Sequence, residues 1–380
     1  MNPLLEALSS ADEAERIYAV QDIGDTVDPG MVPALIRQLR VEPSRVVKDA
    51  IVFQLKQMDC SKDYPLLFTL FISPDAYFRN AAVDIFGAGG DNAVGFLTAH
   101  LDHSNREVRK LILDALFCVG TLEAILAIRA GLHDTAVNIK ITAVEYLGRL
   151  EDRESVPEMI ELLKDDSEPM LITTVLESLP ILASESEIEK TLQTILPGGD
   201  LSRAEPLYIP EILRLTAKAA DPDTIRRMIE DIADLKSYAQ DILVMLGEAK
   251  ARFNDFLNHE VIRGKLVELI SDTEVNELAR HAGCELLLEK DVLNSDPLMS
   301  IGQSLLSEDA MMFNAVRFLA ASGNGTAIET LRKIRVNTKD NLLQEMIDEL
   351  ISRHTEAVLA EEPILPRLSV SGLFATENRG

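Results

Sequence analysis

Arg16-Ile-Tyr-Ala-Val-Gln-Asp-Ile-Gly24 is the stretch that decides the fold. Counted from Arg16 as position zero, Ala19, Val20 and Ile23 stand at offsets three, four and seven. Those offsets share one face of an α-helix, so the stretch reads as a helix with one buried stripe. Comparable stretches start at Lys48, Arg79, Arg109, Lys140 and Ile172, at steps of 32, 31, 30, 31 and 32 residues. Offset three holds Ile51, Ala82, Ile112, Ala143 and Val175; offset four holds Val52, Val83, Leu113, Val144 and Leu176. Offset seven holds Leu55, Phe86, Leu116, Leu147 and Leu179. The near-constant step marks a repeat array.

A shorter helix is expected before each long one: Val32-Pro-Ala-Leu-Ile-Arg-Gln-Leu39, then Tyr64 to Phe71, Ala93 to Leu101, Glu123 to Leu132 and Val156 to Leu163. The two are separated by polar turns: Glu42-Pro-Ser44, Ser73-Pro-Asp75, Asp102-His-Ser-Asn105, Asp134-Thr135 and Asp165-Asp-Ser167. Such residues form turns and cap the free N–H groups of the following helix. One helix pair cannot bury its apolar face alone, whereas stacked pairs can. The pattern continues less regularly from Tyr208, Ala239, Arg280, Met312 and Leu343, for about eleven pairs up to His354. Residues 1–184 thus read as regular repeats, 185–354 as divergent ones and 355–380 as a flexible C-terminal tail. Pro197-Gly-Gly-Asp200 is a candidate kink or seam. The tail's Pro363 to Phe374 is apolar, and either docks on a partner or folds back on the last repeat.

The chain has 380 residues and a formal net charge of −26. That balance argues against nucleic acid, which needs basic surface to displace counterions, and against an anionic membrane. Three widely spaced cysteines, Cys60, Cys118 and Cys284, do not form a disulfide framework, which favours a reducing cytoplasm. The acidic stretch from Met1 to Arg16 is no signal peptide, and no stretch approaches the ~20 apolar residues of a membrane span.

A repeat of this length resembles the HEAT-like repeats in their short bacterial form, the form also found in phycobilin lyase subunits. Its marks are a Pro in the first helix, a polar turn, a basic residue opening the second helix and a closing Leu-Gly. Val32 to Leu39, Arg109 to Leu116 and Ile139-Lys-Ile-Thr-Ala-Val-Glu-Tyr-Leu-Gly148 carry the likeness. It covers residues 1 to about 184 well and 185–354 loosely. It implies an all-α fold, a right-handed α-α superhelix (solenoid) of about eleven helix pairs. It also implies that the basic row Arg16, Lys48, Arg79, Arg109 and Lys140 pairs with the turn acids Asp75, Asp102 and Asp134. The second helices would line the concave surface.

Offset five carries an acidic row: Asp84, Asp114, Glu145 and Glu177. Offset five points away from the buried stripe, so these side chains are expected to reach solvent. On helices packed 8–10 Å apart they would form a negative strip able to take a basic partner segment. The bland alternative is an ordinary solvated face. His100, His103 and His133 lie near Asp102 and Asp134 on turns, where polar residues are expected without a metal. The related deoxyhypusine hydroxylases bind iron through repeated His-Glu pairs, and this chain has one, His259-Glu260. Gly87-Ala-Gly-Gly90 reads as a helix C-cap, and Cys118 as a small apolar residue. No nucleophile elbow, phosphate loop or dinucleotide fingerprint is present. The expectation is a non-catalytic protein–protein interaction scaffold or adaptor. It would have no catalytic residues, cofactor or metal and would bind a partner protein through Asp84, Asp114, Glu145 and Glu177. The alternatives are an accessory lyase-like protein handling a bilin, or a regulatory HEAT module in bacterial signalling.

Overall fold

The computed structural model describes residues 3–360 except 27, 166–167, 197–199, 233, 235, 254, 290 and 291. The Pro197-Gly-Gly stretch, most of the Asp165-Asp-Ser167 turn and the apolar run Pro363 to Phe374 therefore lie outside the described residues. The described residues form 22 α-helices and no strand. The chain divides into two compact units, Met1–Ser184 and Glu185–Gly380.

The first unit contains α1 (Pro3–Ala7), α2 (Glu13–Thr26), α3 (Val32–Val41), α4 (Arg45–Gln57), α5 (Tyr64–Phe68) and α6 (Ala76–Ala88). It continues with α7 (Asp91–Thr98), α8 (Arg106–Val119), α9 (Leu122–Arg129), α10 (Val137–Arg149), α11 (Val156–Asp165) and α12 (Pro169–Leu182). The even-numbered long helices stack side by side, α2 on α4, α4 on α6, and so on to α10 on α12. Each begins three residues before position zero, and in α4, α6 and α8 the turn residue just before the helix supplies the cap. Ser44 Oγ accepts from Val47 N–H, Asp75 from Tyr77 N–H and Asn105 from Glu107 N–H. A cap of this kind stabilises a helix by about 1 kcal/mol. The stripe is buried as expected, with Val52 and Val83 half-buried.

In the second unit the helices are α13 (Glu185–Ile195), α14 (Ile209–Ala219), α15 (Pro222–Asp231), α16 (Ala239–Arg252) and α17 (Glu260–Ser271). They are followed by α18 (Glu277–Leu287), α19 (Ser295–Leu305), α20 (Met312–Ser322), α21 (Gly325–Asn337) and α22 (Asn341–Ala360). Here α14 packs on α16, α16 on α18, and α20 on α22. The last helix runs through Ala360, past the expected end of regular structure at 354. Glu356-Ala-Val-Leu-Ala360 is made largely of helix-compatible residues without Gly or Pro, so nothing in it stops the helix.

Position zero is a structural staple. Arg16 Nε and Nη2 donate to the Glu42 carboxylate at 2.9 and 2.7 Å, while Nη1 donates to the Ser10 carbonyl at 2.9 Å. Arg109 repeats the arrangement on Asp134, both contacts 2.7 Å, with Nη1 on the His103 carbonyl at 2.8 Å. Arg280 does so on Glu308 at 2.6 and 2.8 Å, with Nε on the Ile270 carbonyl. Arg16 and Arg109 thus tie the turn before their own helix to the turn before the next long helix, and Arg280 ties the last turn of α17 to Glu308 before α20. The expected partnership of this row with Asp75 and Asp102 does not form among the described residues. Asp75 is used as the cap of α6, and Arg79 donates to the carbonyls of Ser73 and Pro74 at 2.7 and 2.9 Å. The acid position, three residues before the next long helix, is held by His103 opposite Arg79.

Burial pushes the Glu42 and Asp134 carboxyls up. The guanidiniums of Arg16 and Arg109, together with backbone N–H donors, outweigh it and hold both below the usual carboxylate range. Arg280 does the same for Glu308 against a smaller burial penalty.

Close approach of stacked helices sets the closing glycines. A Cβ on Gly87 would stand 2.6 Å from Cys118 Cβ, and one on Gly148 would stand 2.8 Å from Ser178 Oγ. Both occupy offset eight, beside the buried stripe, where the next long helix comes nearest.

Three outcomes follow from these contacts. Arg109→Met should cost about 3 kcal/mol in urea unfolding by leaving Asp134 unpaired, and adding Asp134→Leu should recover part of that loss. A double variant weaker than either single would contradict a buried, self-contained pair. Because the Glu42 carboxyl is depressed in the fold, its contribution is full above the unfolded value near pH 4.3 and is lost as pH falls through the folded value. Glu42→Gln should therefore be clearly less stable than wild type at pH 7, with the gap closing as the pH is lowered below the unfolded value. Gly87→Ala should destabilise by about 1–3 kcal/mol, since the obstacle is a Cβ rather than a flexible tip.

Candidate partner-binding face

The outward side of the long helices in Met1–Ser184 carries the acidic row. Offset five puts Asp84 on α6, Asp114 on α8, Glu145 on α10 and Glu177 on α12, on helices that pack consecutively. Asp84, Glu145 and Glu177 are exposed, as their offset requires, and Asp114 is half-buried.

The four are not equivalent. Asp114 accepts from Lys110 Nζ at 3.0 and 3.1 Å and from the Tyr146 hydroxyl at 2.6 Å. Glu145 faces Arg149 of its own helix at 3.4 Å. Among the described residues, Asp84 and Glu177 have no ion-pair or hydrogen-bond partner. The strip is therefore negative at its ends, with a charge-paired centre. Both central pairs are i to i+4, and the exposed Glu145–Arg149 pair is worth only a few tenths of a kcal/mol, so an incoming cation can displace it.

Aromatic and cationic side chains knit the face between helices. The Tyr77 hydroxyl of α6 donates to Asp49 of α4 at 2.9 Å, and the Arg45 guanidinium lies 3.9 Å over the Tyr77 ring. Two repeats further on, Phe117 of α8 stacks on Tyr146 of α10 at 4.3 Å, with Arg149 over Phe117 at 4.7 Å. Burial, together with the Asp49 and Asp114 carboxylates, pushes both phenols well above the usual tyrosine range. An open cleft of about 380 Å³ between α4 and α6 is lined by Arg45, Asp49, Tyr77, Asn80 and Asp84. Sequence spacing did not reveal these cross-helix tyrosines, because their partners lie 28 and 32 residues away. That separation is itself one repeat, which is the signal that would have found them.

His100 and His103 share the Phe68 ring, while His133 and His259 have separate partners. His100 packs on Phe96 and Phe68 at 4.4 and 4.6 Å, and His103 Nδ1 accepts from Asn105 N–H at 3.1 Å. His133 faces Glu158 at 2.9 Å, and His259 caps α17. Among the described residues no group of three or more His, Cys, Asp or Glu side chains could hold a metal ion. Cys60 and Cys284 are buried, and burial pushes both thiols up to about 12. Cys118 is exposed on the outward face rather than in the core. Partial burial and the nearby Asp84 and Asp114 carboxylates raise its thiol, which makes it a poor nucleophile. No described helix is long and apolar enough to cross a membrane.

Comparison with known proteins agrees with this architecture. A family model described as HEAT repeats matches residues 92–180, which span α7 to α12. No curated protein matches the chain. Among solved structures, Kap121p bound to Nup53p superposes with a TM-score of 0.55 at 11% identity, over 94% of this chain and 46% of that one. The chain thus spans less than half the length of that neighbour. An engineered protein aligns over 93% of this chain and 98% of its own at 15% identity, with a TM-score of 0.32. Residues 92–180 are similar to HEAT repeats, and the chain that carries them is an all-α solenoid.

Proposed function

We propose that this protein is a non-catalytic scaffold or adaptor that binds a partner protein along the long-helix face of Met1–Ser184. On the resemblance to HEAT solenoids this face is the concave one. The observation that carries the reading is the row of carboxylates at one offset on four consecutively packed helices. A rigid face with fixed charge spacing gives multipoint contact and speeds encounter with a basic segment. The solenoid of Kap121p is recorded with another protein bound, which shows that this kind of fold can serve that purpose. Three free cysteines suit a reducing compartment, and we place the protein in the cytoplasm on that ground. The acidic balance speaks for a protein partner over nucleic acid or an anionic membrane.

The test is affinity capture from host lysate at low and high salt with wild type and charge-reversed variants. Asp84→Lys with Glu177→Lys should lose the salt-sensitive partner while keeping the wild-type melting temperature, since neither carboxylate holds the fold together. Asp114→Asn should lower the melting temperature by a few degrees, because it weakens the contacts to Tyr146 and Lys110. Equal recovery of the same partner by wild type and the double reversal would remove the acidic row from the binding site.

A further inference from the structure

The outward face of the first unit also carries exposed apolar side chains, and they are not spread along it. At 3.6 residues per turn, offsets minus two, five and nine fall within about 40° of one another, on the side opposite the buried stripe. On α4 those offsets hold Val46 and Phe53, and on α12 they hold Met170 and Ile181. All four are between 59% and 61% exposed. The three long helices between them, α6, α8 and α10, carry none of the large exposed apolar residues. The face therefore has two apolar islands separated by the acidic centre.

Each island has an unengaged carboxylate beside it. Phe53 and Asp84 share offset five on the packed neighbours α4 and α6. Ile181 lies one helical turn beyond Glu177 on α12, on the same face. From α4 to α12 there are four helix-to-helix steps, about 36 Å at ~9 Å per step. That is the length of about 11 residues of extended chain.

We propose that the two islands are paired anchor points for one extended basic segment of a partner protein. An apolar residue beside a Lys or Arg would sit near each end, on Phe53 with Asp84 and on Ile181 with Glu177. This names the partner chemistry at the face put forward above and rests on that reading. A second copy of this chain is a poor occupant, because it brings the same carboxylates to the same place. Apolar anchors supply most of the affinity in such contacts, while the charges set encounter rate and orientation.

The test uses synthetic peptides of about 13 residues. One carries Phe-Leu at the start, Leu-Phe at the end and alternating Lys and Gly between. A second has Ser in place of the four apolar residues, and a third has Glu in place of Lys. Binding to the full chain is read by fluorescence anisotropy, with circular dichroism melting to verify that each variant is folded. The anchored peptide should bind about tenfold or more tightly than the Ser peptide. Phe53→Ser and Ile181→Ser should each remove most of that gain without changing the Ser peptide's affinity, and the Glu peptide should not bind. Equal binding of anchored and Ser peptides, or a gain unaffected by Phe53→Ser and Ile181→Ser, would overturn the anchors. In that event, salt-sensitive binding that is still lost in Asp84→Lys with Glu177→Lys leaves the acidic face standing. Binding insensitive to both sets of variants overturns the anchors and the face together.

Discussion

A buried guanidinium that reaches both backward and forward along the chain is the contact on which this solenoid depends. A repeat of about 31 residues makes a helix pair too small to hold a core of its own, so it must be fixed to its neighbour. Apolar stripes supply the attraction between neighbours, but apolar contact alone is permissive about register. Arg16, Arg109 and Arg280 remove that freedom. Each is bidentate to a carboxylate in the next repeat and bonded to a carbonyl behind its own helix. The planar fork of arginine suits this double task in a way lysine does not. Burying the pair is costly in itself, and its value lies in fixing one arrangement rather than in net stability.

That fixed arrangement gives the outward face its meaning. Side chains at one offset become neighbours across helices because successive long helices are held in register. The same logic brings Tyr77 to Asp49 and Tyr146 to Asp114, and leaves Asp84 and Glu177 unengaged at the surface. The closing glycines at offset eight serve it too. They let the helices approach closely enough for side chains on adjacent helices to touch.

Most of the fold was legible from the sequence because the stripe at offsets three, four and seven repeats with almost constant pitch. Helix starts were displaced by three residues, since the pattern reports buried positions and the cap lies before them. The end of α22 was placed too early because Glu356 to Ala360 lack the stripe yet remain good helix formers. The acidic row was visible, but its internal pairing was not. Lys110 and Arg149 had to be seen on the same faces as Asp114 and Glu145. The staple was only half visible: Arg109 with Asp134 could be anticipated from the family, whereas Glu42 read as a turn former and Asp102 as a partner it does not serve. The apolar islands were missed because Phe53 and Ile181 look like core residues until the helix faces are fixed. Their offsets, five and nine, were the available signal.

Native-state hydrogen exchange across Met1–Ser184, compared between wild type and Arg109→Met, tests the staple most directly. If one guanidinium fixes the register of two repeats, amide protection should fall together in α8 and in α10, on both sides of the lost contact. Loss confined to the His103–Asn105 turn and the start of α8 would contradict it, and would leave apolar packing alone to hold the face in place.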